Sequence, residues 1–182
     1  SLGLNKRTKV LGLLLVAGGF AIATVVWTGV HTTLSFTRFN SFDSSSVLAI
    51  DFGKVGWVLF SVVVIMAVTN GVNLTDGLDG LAAGSSIFAF AAFTIIGFWA
   101  FRNPLVYDVE HALDLAVVAA AMLGGCAGFL WWNAYPAKIF MGDTGSLAIG
   151  AALAGLALTL NTMLLLPIIG ALFVVETLSV II

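Results

Sequence analysis

Residues 10–30 read VLGLLLVAGGFAIATVVWTGV, and these 21 residues contain no charged side chain. Because a helix rises 1.5 Å per residue, the stretch is long enough to cross a hydrocarbon core of about 30 Å. Across the 182 residues, 60% are hydrophobic and 9% are charged, against about 25% charged in a typical soluble domain. The sequence therefore predicts an integral membrane protein and excludes a water-soluble globule.

The N-terminal region has one alternative interpretation. Lys6, Arg7 and Lys9 precede the apolar run, as basic residues do in a secretory signal peptide. The run is longer than the usual core of 7–15 residues and no clean cleavage site follows it, so a membrane span is favoured. The sequence opens on Ser1 and stops at Ile182 inside an apolar run, which suggests a piece of a longer chain.

Further apolar stretches extend this pattern to an all-α, polytopic membrane protein with about six transmembrane helices in one domain. Asn161, Thr162 and Pro167 interrupt the last apolar run and divide it in two. Two polar stretches, residues 31–54 and 102–114, are predicted aqueous loops. The predicted spans are residues 10–30, 55–74, 80–101, 115–132, 147–160 and 164–182.

The first predicted loop could contain a small hairpin, because residues 34–38 show a short alternation with Leu34, Phe36 and Arg38 at every second position. In the fourth span, Cys126 stands among Gly124, Gly125 and Gly128, which predicts close helix packing.

Orientation follows from the basic N-terminal cluster, which the positive-inside rule places in the cytoplasm. Six alternating spans then bring residues 70–80 and 133–146 to the cytoplasmic face. His31 and His111 fall in the outer loops, so neither is a candidate base for chemistry at those segments.

Charge and cysteine content exclude other classes of protein. Seven Lys and Arg against nine Asp and Glu give a net charge of −2, with no basic stripe for nucleic acid. A single cysteine cannot form an internal disulfide, and no Cys/His spacing typical of a structural metal site is present.

Residues 70–80 read NGVNLTDGLDG and form the first polar segment whose side chains could take part in catalysis or ligand binding. Asp76 and Asp79 are three residues apart and would share a face if helical. Gly77 and Gly80 favour turns that bring backbone N–H groups close to a ligand. The alternative is an ordinary surface turn between two spans.

Residues 133–146 read NAYPAKIFMGDTGS and lead into an apolar helix. Ser146 or Thr144 is expected to cap that helix, whose free N–H groups favour an anion. Gly142, like Gly145, lets backbone approach a phosphate. Asp143 beside such a cradle suggests Mg²⁺, which binds one or two carboxylates together with phosphate oxygens.

Two further side chains have competing interpretations. Phe140 is a candidate stacking platform for a base, or an aromatic residue of the membrane interface. Glu176 lies inside an apolar run, where it could act in a proton path or, as we favour, bond to another helix end.

Four stretches together closely resemble the phospho-N-acetylmuramoyl-pentapeptide transferases, a family within the polyprenyl-phosphate N-acetylhexosamine-1-phosphate transferase superfamily. They are SLGLNKR at 1–7, NLTDGLDGLA at 73–82, NAYPAKIFMGDTGSL at 133–147 and FVVETLSVI at 173–181. The resemblance covers essentially the whole chain. It implies the fourth to ninth spans of a ten-span, homodimeric enzyme of the bacterial inner membrane.

The resemblance also implies an activity: transfer of phospho-MurNAc-pentapeptide from its UDP carrier to undecaprenyl phosphate, forming lipid I and UMP with Mg²⁺. Asp76, Asp143 and Asn73 are the expected catalytic residues. Asp143 would bind Mg²⁺, with Asn73 and Asp76 beside the ribose and diphosphate. The expected substrate-binding residues are Asn70 near the metal, Gly142 at the phosphate, Phe140 on the uracil, and Asn133, Gly77, Leu78 and Asp79 around the uridine.

Two motifs of the family are expected outside this chain: an Asp-Asp-x-x-Lys motif before its first residue and a triple-histidine motif after its last. The catalytic base therefore cannot be assigned here, and the 182 residues alone are expected to be inactive. The nearest rival function is transfer of an N-acetylhexosamine phosphate to a polyprenyl phosphate. A membrane transporter is the rival of another class, but it would concentrate ionisable groups near the membrane midplane.

Overall fold

The computed structural model describes residues 5–34 and 50–181. Their secondary structure is almost entirely helical, with one minimal two-stranded sheet. In chain order the elements are α1 Lys6–Trp27, β1 Thr33–Leu34, β2 Ile50–Asp51, α2 Gly53–Thr75, α3 Leu81–Arg102, α4 Pro104–Tyr107, α5 Ala112–Asn133, α6 Gly142–Thr159, α7 Leu166–Ile169 and α8 Ala171–Ile181.

Four helices of the described region are long and apolar enough to cross a membrane: Arg7–Trp27, Gly53–Thr75, Leu81–Arg102 and Ala112–Asn133. They overlap the first four predicted spans, with ends that differ by up to three residues. The all-α, multi-pass membrane class is confirmed. The predicted number of six spans stays a prediction.

The last two predicted spans differ from the observed helices. Helix α6 begins at Gly142, inside the polar segment, whereas the prediction began at residue 147. Hydropathy marks where apolar residues begin, but a helix can start in the polar residues before them. The final apolar stretch is divided at Gly170 into α7 and α8, so it is not one continuous helix.

The interior is formed where α2 packs against α1, α6 and α8, and where α3 packs against α5. Large apolar side chains fill it: Trp57, Phe90, Phe93, Leu153 and Leu158 are fully buried. Many other apolar residues stay exposed, as expected of helices that face lipid.

Helices α2 and α6 approach each other closely at Gly150. A Cβ atom placed there would lie 2.5 Å from the Cα of Thr69 and 3.0 Å from the Thr69 backbone nitrogen. These are backbone atoms, so they cannot rotate away as a side-chain end could. Only glycine permits this crossing.

The glycines of α5 behave differently from the prediction. A Cβ atom at Gly124, Gly125 or Gly128 would meet nothing within 4 Å, so close helix packing at these glycines is not found among the described residues. All three glycines are exposed, whereas Cys126 between them is buried.

A short hairpin-like pairing joins the end of the α1 region to the start of α2. Thr33 pairs with Asp51 and Leu34 with Ile50, in antiparallel orientation. Leu34 of the predicted hairpin is thus part of an antiparallel pair, whereas Phe36 and Arg38 lie outside the described residues.

The carboxylate of Asp51 secures this pairing. Its Oδ1 accepts hydrogen bonds from the Thr32 hydroxyl at 2.6 Å and from the Gly53 backbone N–H at 2.9 Å. These two bonds lower the pKa of Asp51 because they stabilise its ionised form. The bond from Thr32 lowers the pKa more than the bond from Gly53 does. Helix α2 begins two residues after Asp51, slightly before the predicted start of the span.

Candidate active site

The first polar segment is part helix and part turn. Helix α2 continues through Asn70 and Asn73 to Thr75, so these two asparagines lie on its last turns. The turn proper runs from Asp76 to Gly80, which has a φ of +75° and directly precedes α3. The predicted glycine turn is thus confirmed for Gly80, where the backbone conformation favours glycine.

Asn133, the last residue of α5, joins the two polar segments. Its Oδ1 accepts a hydrogen bond from the Gly80 backbone N–H at 3.1 Å, and its Nδ2 donates to the Ile139 carbonyl at 2.9 Å. The side chain is buried, with 3% of the residue exposed. Because the amide uses both its acceptor and its donor, it fixes the 76–80 turn against the 134–141 stretch.

Asp79 makes a second connection between the same segments. Its Oδ2 accepts a hydrogen bond from the Ala137 backbone N–H at 3.0 Å. Leu78, next to it in the turn, has an exposed side chain. The turn therefore contributes one structural carboxylate and one open apolar surface.

The start of α6 meets the end of α2. The Ser146 hydroxyl donates to Asn73 Oδ1 at 2.7 Å and lies 3.0 Å from the Gly142 carbonyl. Ser146 was expected to cap α6, and this expectation is wrong. The helix already begins at Gly142, so Ser146 stands in its second turn and its hydroxyl cannot reach the free N–H groups of the first.

Thr144 does not cap the helix either, because it too is inside α6, which begins without a side-chain cap. The glycines around it have separate uses. Gly142 has a φ of +60°, and a Cβ atom there would meet nothing within 4 Å, so open space adjoins its backbone. At Gly145 a Cβ atom would lie 2.8 Å from the Cβ of Met141, so this glycine serves packing.

Two carboxylates and one ammonium group come together at this end of the bundle. Asp143, in the first turn of α6, is 67% exposed in its side chain, and its Oδ2 lies 2.8 Å from Lys9 Nζ of α1. Asp76 lies at the end of α2. Partial burial, and secondly the nearby charge of Asp143, raise the pKa of Asp76. The hydrogen bond between Ser146 and Asn73 brings the two segments that carry these carboxylates together.

The remaining predicted residues lie at the edges of this cluster. Asn70 is exposed, and its Nδ2 donates to the Met66 carbonyl at 2.7 Å. Phe140 is 75% exposed, which suits both a stacking platform and an interfacial aromatic residue. Its neighbour Lys138 lies with Nζ 5.3 Å from the centre of the Trp132 ring, a cation–π contact.

Both histidines lie at the end of the bundle away from Asp76 and Asp143. His31 Nε2 is 2.7 Å from the Asp108 carbonyl oxygen, and His111 Nδ1 is 3.6 Å from Asp114 Oδ2. These residues occupy the loops at the other ends of α1 and α3, around a cavity of about 60 Å³. The predicted separation of the histidines from the polar segments is confirmed.

Glu176 lies in α8 and is partly buried. No hydrogen bond from its side chain to another helix end is found among the described residues. The expected helix-end partner is therefore not observed.

Sequence reasoning missed three contributors to this geometry: Lys9, the Asn73–Ser146 bond and Gly150. Lys9 was noticed only for its charge, because spacing along the chain does not show that α1 and α6 meet. Gly150 stands among several small residues of α6, and nothing in the sequence separates it from them.

Comparison with known proteins supplies an independent result. Residues 1–161 match the family model described as glycosyl transferase family 4. A phospho-N-acetylmuramoyl-pentapeptide-transferase of Corynebacterium kroppenstedtii is 49% identical, over 100% of this chain and 53% of that protein. A protein of the same name from Salinispora arenicola is 45% identical, over 99% of this chain and 53% of that protein. One from Streptomyces griseus is 50% identical, over 100% of this chain and 54% of that protein.

The chain spans about half the length of the curated relatives it matches. The family model covers most of the chain and includes both polar segments. This chain belongs to glycosyl transferase family 4.

Proposed function

We propose that the protein containing this chain transfers phospho-MurNAc-pentapeptide from its UDP carrier to undecaprenyl phosphate, forming lipid I and UMP. The observation that carries the proposal is the Ser146–Asn73 hydrogen bond, which brings the segment of Asp143 to the segment of Asp76 at one end of a bundle of apolar helices. The names of the relatives support the same activity. A site at this position can meet a soluble nucleotide-sugar and a lipid phosphate together.

The donor set at the site fits Mg²⁺. This ion is bound in phosphate-handling sites by one or two carboxylates, completed by phosphate oxygens and water. Asp143 is exposed and Asp76 is close to it, and no cluster of three or more His, Cys, Asp or Glu that could enclose a metal occurs among the described residues. Asp143 would hold the ion, which when bound would neutralise charge on the diphosphate.

The residues of this chain then have separate roles. Asn73, fixed by Ser146, and Asp76 would line the ribose and diphosphate region. Gly142 leaves open space beside its backbone for a phosphate. Because the contacts within the chain hold these groups in place before the substrate arrives, little reorganisation is needed as charge develops on the leaving UMP.

The uridine would bind on the surface between the 76–80 turn and the 134–141 stretch. Phe140 offers an exposed ring for stacking on the uracil. Asn133 and Asp79 hold this surface together. Asn70 would lie near the metal. Gly77 and Leu78 form the turn itself.

The proposal extends to location and assembly. The polar segments and Lys9 lie at the same end of the bundle. The positive-inside rule would place this end in the cytoplasm of a bacterial inner membrane, where UDP-MurNAc-pentapeptide is available. A homodimer is expected from the family resemblance alone.

Transfer of an N-acetylhexosamine phosphate is the second candidate, since the same diphosphate chemistry serves it. A transporter is less well supported, because Asp76, Asp79 and Asp143 gather at one end of the helices.

The deciding experiment follows Mg²⁺-dependent UMP release by the full-length protein in detergent. Undecaprenyl phosphate is the acceptor, and UDP-MurNAc-pentapeptide and UDP-GlcNAc are offered separately. We expect release from the muramoyl substrate only, and its loss in Asp143→Asn. The matched control is Asp114→Asn, another exposed aspartate in a helix first turn but at the opposite end, which should retain activity.

Release from UDP-GlcNAc alone would assign the sister activity. An active Asp143→Asn variant would contradict the metal assignment, and no release from either substrate would contradict the transferase proposal.

A further inference from the structure

Lys9 contacts a residue of the candidate site, but the proposed function assigns it no role. It lies in the first turn of α1, and its Nζ donates to Asp143 Oδ2 at 2.8 Å across 134 residues of sequence. Its side chain is 28% exposed, against 67% for Asp143. Lys9 is therefore held against the protein surface while the carboxylate it contacts stays open to a ligand.

The contact between Lys9 and Asp143 reduces the net negative charge of the site. Asp76 and Asp143 repel each other, and the Lys9 ammonium neutralises one of the two negative charges. Other nearby cations have different neighbours: Lys138 lies over Trp132, and Arg7 lines an apolar surface groove of α1. Among the described residues, Lys9 is the cation that contacts either carboxylate.

The same oxygen cannot serve two cations at full strength. Mg²⁺ binds carboxylate oxygens at about 2.0–2.1 Å, so an ion on Asp143 would meet the Lys9 ammonium at short range. A lysine has a flexible four-carbon stem and three rotatable donors, so it can exchange one anionic partner for another nearby. A diphosphate beside Asp143 supplies such oxygens.

We propose that Lys9 has two alternative partners: Asp143 in the absence of a divalent cation, and the diphosphate of the nucleotide-sugar when a divalent cation occupies Asp143. This inference rests on the proposed function, because it takes Asp143 as the metal ligand. Lys9 thus competes with the metal before substrate binds and assists substrate binding afterwards.

The test measures two affinities of the full-length protein in detergent. Mn²⁺ binding without nucleotide is followed by electron paramagnetic resonance, and UDP binding at saturating Mg²⁺ is followed by calorimetry. In Lys9→Gln we expect Mn²⁺ to bind about two- to fivefold more tightly and UDP about two- to fivefold more weakly, the size typical of a partly exposed ion pair.

Two further variants serve as controls. Lys9→Arg keeps the positive charge and should keep both constants near those of the wild type. Arg102→Gln removes an exposed positive charge in the last turn of α3, at the end of the bundle away from Asp143, and it should change neither constant. Thermal unfolding in the same detergent checks that each variant is folded.

Opposite changes of the two affinities in Lys9→Gln would support the inference. A weakening of both would show that Lys9 is merely structural, and no change in either would show an inert surface ion pair; both results overturn it. The UMP-release assay on the same wild-type sample distinguishes a failure of this inference from a failure of the proposed function. Release with unchanged affinities in Lys9→Gln refutes only the role of Lys9, whereas no release refutes the proposed function and this inference with it.

Discussion

Replacement of Gly150 by alanine is expected to separate α2 from α6 and to disturb the site one helical turn away. The new Cβ would lie 2.5 Å from the Cα of Thr69, whereas two carbon atoms in ordinary contact are about 3.5 Å apart. The two helices must therefore move apart by about 1 Å. The obstructing atoms are backbone, so no side-chain rotation can relieve the contact.

The consequence for the site follows from helix geometry. Ser146 precedes Gly150 by four residues, and Asn73 follows Thr69 by four, so the two pairs stack along the same antiparallel crossing. A separation of about 1 Å would lengthen the 2.7 Å Ser146–Asn73 contact to about 3.7 Å, which is beyond hydrogen-bonding distance. Asn73 would lose its fixed orientation.

The stability cost of such overpacking is about 1–3 kcal/mol. At roughly 3 °C per kcal/mol, Tm should fall by about 3–9 °C in a thermal unfolding experiment in detergent. Gly124→Ala is the matched control, because it also replaces a glycine inside a helix but its Cβ meets open space. Both variants gain the same helix propensity, so their difference isolates the close contact.

A Gly150→Ala protein with the Tm and UMP-release rate of Gly124→Ala would refute this reasoning. It would show that the crossing relaxes at no cost, or that it does not support the site.

Two other contacts give direct predictions. Asp79→Ala removes the acceptor of the Ala137 N–H, so hydrogen exchange at Ala137 should accelerate, whereas Asp79→Asn retains an acceptor and should protect the amide; equal protection in both variants would contradict the bond. Thr32→Val removes the larger influence that lowers the pKa of Asp51. A lowered folded-state pKa contributes stability that is fully present above the unfolded value of about 3.8, so the variant should have a lower Tm at pH 7. The difference should shrink below that value and vanish as the pH falls through the lowered folded-state pKa of Asp51. A difference in Tm that persists at low pH would contradict this origin.

The membrane class and the first four helices could be predicted because apolar composition and span length are local properties of the chain. Helix ends were less predictable. Gly142 and Asp143 are polar or flexible, yet they already belong to α6, because helix formation at a membrane edge does not require apolar side chains. The charged residue of the final stretch, Glu176, lies six residues beyond Gly170, so it does not reveal the division there.

The candidate site was predictable as two segments but not as a set of contacts. Asp76 and Asp143 stand out in the sequence because carboxylates are rare in an apolar chain. The contact between Lys9 and Asp143 depends on how α1 packs, which no pattern along the chain records. For Ser146, the expected cap failed because the helix starts four residues earlier, which leaves the hydroxyl free to bond to Asn73.

The two hydrogen bonds of Asn133 have a thermodynamic consequence for ligand binding. A single buried amide holds the 76–80 turn and the 134–141 stretch, so a ligand that orders either one also reduces the conformational entropy of the other. Binding at the two segments is then cooperative even without any change of shape, and the effect is reciprocal. In the proposed enzyme, a nucleotide held by one segment would raise the affinity of the other for the rest of the same substrate.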